Sequence, residues 1–139
     1  MKYLVLSSIF ILFWSCNKPP KQEAILKKLF KEEFKYELPL NAIIITLPTE
    51  ACPSCNVTAK QCYRKISYKP EVIAVCTDTI QLQYISGAKR IFWDKNKAIT
   101  KYQIGQQPYY IELKNGKITS MLEFSRENYL VILQKIEKL

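Results

Sequence analysis

The chain has 139 residues, enough for one domain around one core, and its 48% hydrophobic and 24% charged content is ordinary for a globular protein. The formal charge of +9 comes from 21 basic and 12 acidic side chains that are scattered rather than clustered; this reads as a solvated basic surface, argues against a nucleic-acid site, and leaves room only for weak attraction to anionic lipid head groups. There is no histidine, which excludes Ser-His and Cys-His catalysis and histidine-ligated metals together.

The first segment reads as targeting, not structure. Met1-Lys2 supplies one positive charge, and Tyr3 to Trp14 is a nearly continuous apolar run, broken by Ser7-Ser8 and too short to span a bilayer as a permanent helix. Ser15-Cys16 closes it. A short apolar core ending in a small residue and cysteine resembles a bacterial lipoprotein signal, cleaved before Cys16 and lipidated on it, although Phe13-Trp14 is bulkier than a strict version. The alternative is an ordinary secretory signal or signal anchor with Cys16 incidental. Asn17-Lys18-Pro19-Pro20-Lys21 is a polar tether stiffened by prolines. The expected organisation is a signal peptide over 1–15, a lipid-anchored tether over 16–22 and one domain over 23–139. Cleavage leaves 124 residues with a side-chain charge of +8.

The next elements alternate. Lys21 to Tyr36 places Ile25, Leu26, Leu29, Phe30 and Phe34 at helical spacing, and Pro39 follows. Ala42 to Leu47 is an apolar run of strand length. The helix that opens at the following Cys52-Pro53-Ser54-Cys55 runs to Ile66, with Val57, Ala59, Cys62, Tyr63 and Ile66 as inward candidates. Val72 to Cys76 is a second buried strand; Thr77 to Ser86 is ambiguous between a short helix and a loop; Arg90 to Trp93 is a short strand. Asp94 is a candidate cap for a helix reaching about Tyr102, closed by Ile104-Gly105. Tyr109 to Leu113 and Lys117 to Leu122 form a hairpin about Asn115-Gly116. Ser125 is expected to cap a terminal helix to Lys138, with Tyr129, Leu130, Ile132, Leu133 and Ile136 as its apolar stripe. This order predicts an α/β fold, a three-layer α/β/α sandwich around a mixed central sheet.

The chemistry centres on Cys52-Pro53-Ser54-Cys55. A strand delivers the first sulfur, and the helix behind it offers unpaired N–H groups and a partial positive charge that favour thiolate, the nucleophile of disulfide exchange. A structural disulfide across so short a loop would constrain almost nothing. Cys52, Cys55, Cys62 and Cys76 have the spacing C-x2-C-x6-C-x13-C, which lacks the second CxxC knuckle of common zinc sites, so neither metal nor cofactor is expected. Cys62 and Cys76 read as small buried hydrophobes, with a mutual disulfide or an electron relay as alternatives. Thr49-Glu50-Ala51-Cys52 matches half of a peroxiredoxin site, but the matching proline position holds Ile45.

Two separated motifs over roughly residues 40–138 resemble the thioredoxin fold. One is strand–Cys52-Pro53-Ser54-Cys55–helix. The other runs from Tyr102-Gln103-Ile104-Gly105 through Gln106-Gln107-Pro108 to the strand Tyr109–Leu113 and Asn115-Gly116. Ile91-Phe92-Trp93-Asp94 leading into a helix makes the chain similar to membrane-tethered extracytoplasmic thioredoxin-like lipoproteins of the cytochrome c maturation and peroxiredoxin-like branch. The resemblance implies that Cys52 attacks and Cys55 resolves. It implies a cis peptide before Pro108, beside the sulfurs, with Gln107, Pro108, Pro53 and Ser54 forming the substrate-binding edge. Against the family pattern, Thr46 stands where a buried acid is common, Pro48 and Ala51 replace aromatic residues, and Gln107 is polar; Glu50 is a loop candidate for general base. Partners expected are protein disulfides or dithiols and, through Cys16, a membrane; nucleic acid is not expected, and the domain is expected to be a monomer. The expected activity is thiol–disulfide oxidoreduction of exported proteins, on the reducing side, in the bacterial cell envelope facing the periplasm. Asn17 favours the outer membrane. The alternative is a non-catalytic thioredoxin-like lipoprotein acting as a binding or assembly module.

Overall fold

The run Ala42–Leu47 carries three consecutive isoleucines and a threonine, which suit a pleated strand covered on both faces, and all six residues are buried. The computed structural model describes residues 22–79 and 90–139. The leader, Cys16 and most of the ambiguous stretch Thr77 to Ser86 lie outside the described residues. In chain order the elements are α1 (Gln22–Glu33), β1 (Ala42–Leu47), α2 (Pro53–Ile66), β2 (Val72–Cys76), β3 (Ile91–Trp93), α3 (Ala98–Lys101), β4 (Tyr109–Lys114), β5 (Lys117–Glu123) and α4 (Tyr129–Glu137). Among the described residues no helix is long and apolar enough to cross a membrane.

The sheet has the order β3-β2-β1-β4-β5. Strand β1 pairs parallel with β2, from Ile43 opposite Val72 to Leu47 opposite Cys76, and β2 pairs parallel with β3. On its other side β1 pairs antiparallel with β4, and β4 with β5. The alternation of side chains along β1 then sorts the core into two. Ile43, Ile45 and Leu47 pack with Ala59, Cys62, Tyr63 and Ile66 of α2 and Ile132 and Ile136 of α4. Ala42 and Ile44 pack with Leu26, Leu29 and Phe30 of α1 and Ala98 and Ile99 of α3. The result is a three-layer α/β/α sandwich about a mixed sheet, compatible with a thioredoxin-like arrangement.

Short-range chemistry sets the element ends. Helix α1 stops at Glu33, three residues before the predicted Tyr36. Lys35 at φ 51° turns the chain so that Tyr36 N donates to Phe30 O at 3.1 Å. Phe30, Phe34, Tyr36 and Phe92 then form a ring cluster over this end of the sheet. Asn115 and Gly116, at φ 51° and 73°, make the expected hairpin turn. Asp94 does cap α3, its two carboxylate oxygens accepting from Ala98 N (2.7 Å) and Ile99 N (2.8 Å), but the helix is a single turn ending at Lys101.

Three expectations about helix faces are corrected. Helix α4 is regular only from Tyr129; Ser125 makes its expected side-chain bond, accepting from Asn128 N at 3.3 Å, but it caps a turn that precedes the helix. Starting there, α4 buries Ile132 and Ile136 and leaves Leu130 67% exposed. On α2, Val57 is 53% exposed while Asn56 is buried, since residues 56, 59, 63 and 66 share the inward face and 57 falls on the other side.

Candidate redox site

Parallel strands β1, β2 and β3 all end on one side of the sheet, and α2 begins there, as sites commonly do in open α/β sheets. Pro48 ends β1, and its carbonyl is held by Ala51 N (3.4 Å) and by Asn56 Nδ2 (2.9 Å). This folds the loop back so that Cys52 becomes the N-cap of α2, with Pro53 in the first turn, where its missing N–H costs nothing. The buried Asn56 was missed by its polarity, although its spacing from Ala59, Tyr63 and Ile66 pointed inward.

Cys52 and Cys55 are both half-buried free thiols one helical turn apart. Cys52 Sγ lies 2.9 Å from Ser54 Oγ and accepts from Cys55 N at 3.4 Å. The Cys55 thiol, the Ser54 hydroxyl and the Cys55 N–H together stabilise a thiolate at Cys52 and bring its pKa down to about 7. The same pairing works in reverse on Cys55. Its pKa is raised because its proton is held toward Cys52 sulfur, because it is partly desolvated, and because a charge on Cys52 opposes a second one. An unequal pair of this kind can offer one sulfur as a nucleophile while the other keeps its proton.

The loop before β4 faces this pair. Gln107 Oε1 accepts from Cys52 N at 3.3 Å, so its side chain, and not only its backbone, meets the redox loop. Pro108 is buried, and its carbonyl accepts from Phe124 N at 2.9 Å. The peptide before Pro108 is trans, which corrects the cis expectation. The preceding turn carries positive φ at Gln103 (58°) and Gly105 (120°). A Cβ on Gly105 would sit 2.3 Å from the Tyr109 ring, which leaves no room for a side chain there. Thr46, in the position where the family pattern has an acid, is 2% exposed and accepts from Tyr109 N at 2.8 Å. It pins the loop and carries no titrating proton.

Glu50 is engaged elsewhere: its carboxylate pairs with Lys97, which lowers its pKa, so the general-base role considered for it finds no support in the geometry. Cys62 and Cys76 lie in the α2 side of the core as free thiols. Burial raises the Cys62 pKa and pushes Cys76 up to about 12, so both are inert hydrophobes at neutral pH, with no disulfide between them. Among the described residues no group of three metal-ligating side chains is gathered. A groove of about 230 Å³, which motif reading did not find, runs beside Cys55 between the start of α2 and the β5–α4 connection. Compared with known proteins, the chain matches no family model, no curated protein and no solved structure.

Proposed function

We propose that the protein is a thiol–disulfide oxidoreductase of the bacterial cell envelope, tethered through a lipid on Cys16 and acting on exported proteins. The observation that carries this reading is the unequal pair at the start of α2: Cys52 sulfur within 2.9 Å of Ser54 Oγ and 3.4 Å of Cys55 N, with Cys55 the more proton-retentive partner. In the reducing direction, Cys52 thiolate attacks one sulfur of a substrate disulfide. A Cys52–substrate disulfide forms, and the other substrate sulfur leaves as thiolate. Cys55 then loses its proton to that leaving group or to water and attacks Cys52 Sγ. The Cys52–Cys55 disulfide forms and the second substrate thiolate is released, so two electrons pass from the protein pair to the substrate. An external dithiol must restore the pair.

A Cys52 pKa of about 7 supports the reducing side, because strong oxidants owe their potential to a much more stabilised thiolate, with pKa about 3.5. The test is alkylation of Cys52 against pH, together with redox equilibration of the full chain in detergent with glutathione. The expected result is a thiolate titration near neutrality and reversible cycling at a potential well below the roughly −120 mV of the strongest oxidants. An ordinary thiol titration with no cycling would replace this reading with the non-catalytic binding module.

A further inference from the structure

The groove beside Cys55 has an uneven lining. Ser54, Cys55 and Thr58 form its α2 wall, and Phe124 and Tyr129 give it an aromatic floor. Ser54 also touches Cys52 Sγ, so the groove adjoins Cys52 through Ser54. Arg126 is the only charged side chain lining it among the described residues. It is exposed and has no carboxylate partner among them, whereas Lys97 and Lys135 elsewhere on the domain are paired with Glu50 and Glu112. Its backbone sits within a tied turn: Phe124 N bonds Pro108 O at 2.9 Å on one side, and Asn128 N bonds Ser125 Oγ at 3.3 Å on the other. The turn therefore holds the Arg126 backbone at the edge of a groove that adjoins Cys55 and carries an aromatic floor.

We infer that this groove seats an extended segment of the disulfide-bearing substrate, and that Arg126 selects segments carrying an Asp or Glu close to the half-cystine. The inference rests on the exchange reading above and adds the substrate class. An exposed guanidinium with no carboxylate partner among the described residues gains a charge-assisted, bidentate contact with such a carboxylate, and repels a lysine in its place.

The test uses the pre-reduced full chain in detergent and single turnovers, so that the Cys52–Cys55 dithiol supplies both electrons. Three disulfides are compared: a short peptide with Glu beside its half-cystine, the same peptide with Lys there, and neutral 2-hydroxyethyl disulfide as reference. Each peptide rate is divided by the reference rate of the same variant. The Glu peptide is expected to be favoured over the Lys peptide roughly two- to fivefold at moderate salt. Arg126→Lys should keep most of that preference and Arg126→Glu should invert it. Lys138→Glu, at the far end of α4, should leave it unchanged although it alters net charge equally. Equal rates for the two peptides, or a preference that follows net charge rather than position 126, would overturn the inference while leaving exchange intact. Failure of the neutral disulfide to oxidise the pair would remove the exchange reading, and the inference with it.

Discussion

Pro53 and Ser54 separate the two cysteines, and the Ser54 hydroxyl is one of four donors that stabilise the Cys52 thiolate, after the Cys55 thiol and ahead of the Cys55 and Ser54 N–H groups. Removing one donor of four weakens the thiolate without abolishing it. In Ser54→Ala the Cys52 pKa should rise from about 7 to roughly 8, cutting the thiolate fraction at pH 7 about fivefold. The sign follows from which form the hydroxyl favours. A donor stabilises the anion, so its loss moves the alkylation curve to higher pH, and the two curves converge well above both midpoints. An unshifted curve in Ser54→Ala would mean that the hydroxyl does not donate to the sulfur. This residue was legible beforehand, since a serine between cysteines lies within reach of either sulfur. The part played by Gln107 was legible only by half. Its place before Pro108 marked it as a site residue, but that its amide reaches back 55 positions to the Cys52 N–H depends on how the sheet sets the loop before β4 beside α2.

At the scale of elements, the strands were read almost to the residue because β-branched runs such as Ile43-Ile44-Ile45 and Val72-Ile73 are bounded by Asn, Pro and turn chemistry. The sheet's two-sided burial also removes any ambiguity about which face is inward. Helix ends were less legible, because local hydrogen bonds compete there with helical continuation. Ser125 caps a turn that comes before the regular helix α4, and Lys35 ends α1 through a left-handed residue that composition does not announce. The clearest case is Asp94. It was identified as a cap, yet the helix it caps is one turn long and too short to hold itself together. Its stability must come from the two short bonds to a carboxylate that is 1% exposed, and from Ala98 and Ile99 packed beneath α1. Asp94→Ala should therefore cost about 2–3 kcal/mol, more than an exposed cap, because two buried N–H groups lose their acceptor. Urea unfolding measures it. Asp94→Asn, which keeps one acceptor oxygen, should recover part of the loss. A cost below about 0.5 kcal/mol would mean that packing alone holds α3.

For the molecule as a whole, the sheet order explains why one short motif and one distant loop suffice to make a site. Strand β1 lies between β2 and β4, so its carboxyl end brings Cys52 beside the start of β4, where Thr46 ties down Tyr109 and Gln107 meets the redox loop. In the proposed function, where that site works is decided by the segment that precedes the domain. The domain is basic, and basic surface alone attracts anionic membranes, but that attraction is screened by salt. A lipid on Cys16 acts differently, since each buried methylene contributes about 0.8 kcal/mol regardless of ionic strength. The two modes of attachment separate on washing. In a bacterial host, the wild-type chain should stay with membranes in 1 M salt and partition into detergent. Cys16→Ser should lose the lipid and fail to partition, and any membrane association that it keeps should be released by the salt wash. If instead Cys16→Ser stays membrane-bound in high salt, the apolar run Tyr3 to Trp14 has been retained as an uncleaved anchor. The redox site would then still face the envelope, held by protein and not by lipid.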